Sequence, residues 1–190
     1  ALALTAIGSA AMFTVFTYIA PILTEVTGAG TLYVTAMLVI YGLGLTAGNW
    51  LGGVFADRSI DRTLIVSLSG LGALLMLFAV TMFSPTAAAV TIFAWGVATF
   101  AIVPPLQMRV MEAASDAPNL ASAVNIGAFN LGNAVGAAVG GGVIGLGLGY
   151  PAVAVAGAVM ALAGLAILLA SRQRKVAPPF RGDLACGQEA

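Results

Sequence analysis

Residues 44–62 read Gly44-Leu45-Thr46-Ala47-Gly48-Asn49-Trp50-Leu51-Gly52-Gly53-Val54-Phe55-Ala56-Asp57-Arg58-Ser59-Ile60-Asp61-Arg62. An apolar run with glycine at every fourth position gives way, within a few residues, to four charges. Residues four apart stack on one face of a helix, so Gly44, Gly48 and Gly52, with Asn49 and Gly53 beside them, form a smooth groove that another backbone can approach closely. The run over 32–55 has the ~20 residues a helix needs to cross ~30 Å of hydrocarbon. It carries no charge, so the charged segment after it belongs at a membrane surface.

The rest of the chain repeats that pattern. Of 190 residues 61% are hydrophobic and 7% charged, against about 45–50% and about 25% in soluble domains. Too few charges are present to solvate the surface of a soluble protein this large. Apolar runs fall at 2–23, 32–55, 63–83, 86–108, 120–146 and 151–171, which predicts an all-α membrane protein with six transmembrane helices. Turn chemistry separates them: Thr27-Gly28-Ala29-Gly30, Asp57 to Arg62, Ser84-Pro85, Asp116-Ala117-Pro118-Asn119 and Gly147-Leu148-Gly149-Tyr150-Pro151. Ser84 before Pro85 reads as an N-cap with proline at the first helical position.

Charge placement orients the spans. Arg58 and Arg62 lie in the second loop, Arg109 in the fourth, and Arg172, Arg174, Lys175 and Arg181 in the tail, while the odd-numbered loops carry no Lys or Arg. The positive-inside rule then predicts cytoplasmic placement for both ends of the segment. Residues 172–190, with Pro178-Pro179, are expected to form a disordered cytoplasmic tail. The chain starts at Ala1 inside an apolar run, without the basic flank of a signal peptide, and is read as the interior of a longer protein.

Several chemistries find no support in these residues. Net charge is zero and gives no field for nucleic acid. Histidine is absent, and the one cysteine, Cys186, cannot form an internal disulfide. Gly42-x-Gly44 sits within a span with no strand before it, so it is not a nucleotide loop. No catalytic residue, metal site or cofactor is expected, and the chain is not read as an enzyme. Arg109 and Glu112, three apart at a helix end, suit a surface pair.

No Asp, Glu, Lys or Arg falls near the middle of a span, where a proton or ion relay would need one. Instead, the fifth run reads Gly132-x3-Gly136-x3-Gly140, with Asn130 and Asn133 beside it. Gly48-Asn49-Trp50-Leu51-Gly52 and Gly132-Asn133-Ala134-Val135-Gly136 share G-N-x-x-G, three helices apart. Helices one and four each carry proline toward the exit end, at Pro21 and at Pro104-Pro105. Three being odd, the second triplet crosses the bilayer in the opposite sense to the first. The pattern predicts two inverted three-helix repeats, a design typical of secondary transporters. The grooves could serve helix packing within the bundle or an interface with another bundle.

The segment from Gly53 through Asp57 and Arg58 to Arg62 resembles the loop signature of the major facilitator superfamily, G-x-x-x-D-[RK]-x-G-[RK]-[RK]. Ile60 and Asp61 depart from it, and such departures resemble the degraded copy in the second half of the transporter. Phe16-Thr17-Tyr18-Ile19-Ala20-Pro21 and Phe129-Asn130-Leu131-Gly132-Asn133 are similar to the drug and sugar exporter branch, which includes arabinose-efflux permeases. The resemblance covers the chain up to its tail. It implies the C-terminal half of a proton-coupled exporter, with the coupling residue in an N-terminal six-helix half. It also implies that the loop of Gly53, Asp57, Arg58 and Arg62 latches the halves in one conformation. The small-molecule cavity would then lie between halves, with Phe13, Phe16, Thr17, Tyr41, Asn49, Trp95, Asn125 and Phe129 as candidate lining residues. A stand-alone module dimerising through its glycine faces is the alternative. The bilayer is a partner in either case.

Overall fold

A computed structural model describes residues 1–176, and the expectation for the rest of the tail lies outside them. The described chain is helical throughout. The first span is α1 (Leu2–Phe16), a short α2 (Ile19–Pro21) and a π-helical stretch, Ile22–Val26. The second is α3 (Thr31–Ala56) and the third α4 (Ile60–Thr81). The fourth is α5 (Pro85–Ala101) continued by α6 (Val103–Ala113), the fifth α7 (Pro118–Gly145), and the sixth α8 (Gly149–Val176). Five of the six spans are long and apolar enough to cross a membrane by composition. The fifth, α7, is 28 residues long, but its glycines and asparagines dilute its hydropathy.

Local chemistry sets the helix ends. Ser59 caps α4, its Oγ accepting from the Arg62 backbone N–H at 3.3 Å. Ser84 occupies the N-cap of α5 with Pro85 following, but its side chain makes no capping bond. Gly28 and Gly147, with φ of 69° and 73°, turn the chain after the first and fifth spans in a backbone region closed to most residues. The expected end of the last span at residue 171 is short: α8 runs on to Val176. Residues 172–176 are therefore helix, not the disordered tail expected there. Arg, Gln and Lys are good helix formers, and the Arg172 side chain is tied to α4.

The packing has a two-fold logic. α1 lies along α7, α3 along α5, and α4 along α8. Each pair joins one helix of the first triplet to one of the second: first with fifth, second with fourth, third with sixth. The contacts also give direction. Building a Cβ onto Gly44, Gly48 and Gly52 would bring it within 2.5, 2.2 and 2.5 Å of the backbone oxygens of Phe93, Val97 and Ala101, so α3 and α5 run parallel. The same test on Gly132, Gly136 and Gly140 meets the oxygens of Ala6, Ala10 and Thr14, so α7 and α1 run parallel. Gly72 faces Ala161 and Leu162, whereas Gly164 faces Leu68, so α4 and α8 are antiparallel. Six alternating spans in two inverted triplets satisfy all three relations.

Both glycine ridges are thus filled from within the chain. The reading in which they dock a second bundle or copy is corrected here: no side chain could stand at Gly48 or Gly136 while α5 and α1 occupy the grooves. Small residues let helices close to van der Waals contact, which must drive association where lipid is as apolar as leucine. The outward faces carry Leu32, Val66, Val80 and Leu131, all exposed.

Candidate functional site

The residues expected at membrane depth come together as a row of rings. Phe13 and Phe16, three apart on α1, meet edge to face at 5.6 Å between centroids. Phe129 of α7 meets Phe13 at 6.3 Å and 86°. Phe16 stacks on Tyr41 of α3 at 5.0 Å and 20°, Tyr41 leans on Trp95 of α5 at 4.7 Å, and Trp95 stacks on Phe78 of α4 at 5.7 Å. Each such pair contributes about 0.5–1.5 kcal/mol beyond its buried area. The row ties together five helices from both triplets.

Burial divides this row. Trp95 and Phe78 are fully buried and Tyr41 nearly so, whereas Phe13, Phe16 and Phe129 are half-buried and Thr17 is exposed. Tyr41 and Trp95 therefore offer no surface for a ligand, against the expectation that they line a cavity. The cause is the close α3–α5 approach at Gly44 and Gly96, which encloses both rings. The Tyr41 hydroxyl reaches Thr99 Oγ1 only at 3.5 Å, and the Trp95 indole N–H finds no acceptor among the described residues. Thr17 returns its hydroxyl to the Phe13 carbonyl at 2.7 Å.

Asn125 is also inside. Thr5 Oγ1 donates to Asn125 Oδ1 at 2.7 Å, Asn125 Nδ2 donates to Gln107 Oε1 at 2.6 Å, and Gln107 Nε2 donates to Ser122 Oγ at 2.6 Å. This chain joins the first, fourth and fifth spans. Its Thr5 and Gln107 members were not foreseen, although a glutamine within an apolar run was a visible signal. The two matched asparagines differ. Asn49 is exposed, while Asn133 is half-buried with an Oδ1 that lacks a partner among the described residues.

At the arginine-bearing end, Asp61 pairs with Arg109 of α6, and Arg172 Nε of α8 lies 3.3 Å from its other oxygen. Arg109 also donates to Ser171 Oγ at 3.1 Å. One carboxylate thus gathers the ends of three spans. Arg109 was expected to pair with Glu112, which is exposed; Asp61, at the start of α4, reaches it instead. Asp57 is exposed at the C-cap of α3, where a carboxylate opposes the helix dipole. The Arg58 guanidinium lies 5.9 Å from the Phe55 ring centroid. Among the described residues no group of three His, Cys, Asp or Glu side chains converges to hold a metal.

Comparison with known proteins follows the same outline. No protein-family model matches the chain. It is 54% identical over 175 residues to the inner membrane transport protein YdhP of Escherichia coli K12, covering 89% of this chain and 43% of that one. It is 35% identical over 165 residues to the MFS-type transporter YfhI of Bacillus subtilis, which is uncharacterized, covering 87% and 42%. A Haemophilus influenzae protein named "Probable sugar efflux transporter" is 34% identical over 142 residues, covering 72% and 34%. Over the shared length, the chain belongs to the major facilitator superfamily. It spans less than half the length of the curated relatives it matches. Six spans in two inverted triplets are one half-bundle of such a transporter.

Proposed function

We propose that this chain is the C-terminal half of a proton-coupled exporter of small molecules in the bacterial inner membrane, working by alternating access. The observation that carries this reading is the interlocked inverted triplet pair, shared in sequence with transporters more than twice as long. In it, Phe13, Phe16, Thr17 and Phe129 face a cavity completed by the other half, because they alone of the aromatic row and its hydroxyl neighbour keep surface. Aromatic walls with a few placed hydroxyls suit small amphiphilic substrates. Asn49 and Gly53, four apart on one side of α3, lie at the seam between halves. No charged group stands near the middle of any span, so the proton-coupling carboxylate belongs to the N-terminal half.

The loop acts as a latch in this scheme. A Cβ at Gly53 would meet nothing within 4 Å, so its bareness is not explained by packing within the described chain. Close approach by a helix of the other half accounts for it. Asp57 then accepts from the exposed N–H groups of that helix, with Arg58 beside it, which offsets the cost of its place at a C-terminus. Both ends of the segment face the cytoplasm.

Transport assays on the full-length protein test each part. Efflux should stop when an uncoupler collapses the proton gradient, and efflux that persists rejects proton coupling. Asp57→Asn should slow transport several-fold at unchanged membrane abundance; wild-type rates would remove the latch.

A further inference from the structure

Between the end of α3 and the start of α4, at the arginine-bearing ends of these spans, lies an open cavity of about 340 Å³. Its deep wall is apolar, from Phe55 and Val66, closed at the back by Gly52 and Ala101, and its mouth carries Arg58 and Arg62. Neither guanidinium has a carboxylate within ion-pair distance among the described residues, since Asp61 is engaged by Arg109 and Arg172. Arg58 lies along the Phe55 ring, which holds its charge at the mouth, out of the deep apolar part. Val66, one turn deeper than Arg62, is 70% exposed, so the apolar wall continues along α4 toward the membrane interior.

We propose that this cavity seats an anionic phospholipid, its phosphate between Arg58 and Arg62 and the upper part of one acyl chain along Phe55 and Val66. Two unpaired cations above an apolar wall are complementary to a molecule with a negative head and a hydrocarbon tail. The bilayer supplies such molecules at the depth where the cavity opens. A soluble anion would have no use for the apolar wall, and a neutral lipid none for the arginines. The inference rests on the bilayer placement of α3 and α4 and is independent of transport. Arg58 and Arg62 belong to the latch loop as well, but Asp57 does not line the cavity, so changes at Asp57 separate the latch from the lipid seat.

The test uses the purified full-length protein in mild detergent, given equal amounts of phosphatidylglycerol and phosphatidylcholine of matched acyl chains, with native mass spectrometry counting the lipids retained. Two basic contacts should favour phosphatidylglycerol on the order of tenfold. Arg58→Gln with Arg62→Gln should bring the preference close to one, and Arg58→Lys with Arg62→Lys should keep most of it. Equal retention of both lipids by the wild type overturns the proposal. So does a preference that survives the glutamine pair, or one lost equally with the lysine pair. Displacement of phosphatidylglycerol by millimolar inorganic phosphate would also overturn it, as showing an anion site that does not hold the chain.

Discussion

The two glycine seams share a geometry and differ in chemistry. Along α3 and α5, Gly44, Gly48 and Gly52 meet bare backbone, and the polar contacts across the seam are the Tyr33 hydroxyl donating to the Pro85 carbonyl at one end and the long Tyr41–Thr99 approach. Along α7 and α1, the corresponding ridge is crossed by hydroxyls. Ser9 Oγ donates to the Phe129 carbonyl at 3.0 Å, Tyr18 OH donates to the Ala137 carbonyl at 2.8 Å, and Thr5 reaches Asn125. Dispersion alone resists sliding weakly along a smooth ridge, whereas a hydrogen bond in hydrocarbon holds one register. The α1–α7 pair is therefore pinned along its length, whereas α3–α5 is pinned only where Tyr33 meets Pro85 and is smooth along the glycine ridge.

The comparison can be broken most severely at the glycines themselves. Gly48→Ala and Gly136→Ala should each cost about 3 kcal/mol, since each new methyl would meet a backbone oxygen that cannot yield. Unfolding by denaturing detergent, followed by tryptophan fluorescence, reads this directly. A cost below about 1 kcal/mol at both sites would mean that the helices are not in contact there. Asn125→Leu comes next, at about 2 kcal/mol, because it strands Thr5 and Gln107 in a buried site. Tyr18→Phe should cost about 1 kcal/mol in the pinned seam. Tyr41→Phe should cost under about 0.5 kcal/mol, because its hydroxyl contact is at the limit of hydrogen-bond length. Equal losses for the two tyrosines would erase the distinction between seams. Gly53→Ala should leave the stability of this half-bundle within about 0.5 kcal/mol, since no group of the described chain stands within 4 Å of the new methyl.

Much of this architecture was legible in the residues. Run length marked the spans, and glycine at every fourth position marked both ridges, because helical stacking depends only on spacing. The ridges' partners were not legible. Phe93, Val97 and Ala101 contribute backbone, which any residue would supply. Ring identity pointed to Phe13, Phe16, Tyr41, Trp95 and Phe129 together, yet could not divide them into surface and interior, since that division follows from how closely α3 approaches α5. Asp61 read as a departure from a loop pattern, and its role depends on Arg109 and Arg172, 48 and more residues away. The end of α8 was misjudged because a charged run after an apolar span signals the membrane surface and says nothing of where the helix stops.

The crossing of partners between triplets has a consequence for biogenesis. When the third span has entered the bilayer, neither ridge has its counterpart: α3 still awaits α5, and α1 awaits α7. The nascent chain must therefore hold exposed, weakly hydrophobic surfaces until its fifth span arrives, and that late arrival is itself the span least able to partition into lipid unaided. Assembly should then depend on shelter beside the translocation machinery, with the two triplets closing on each other like clasped hands after synthesis has passed Gly145.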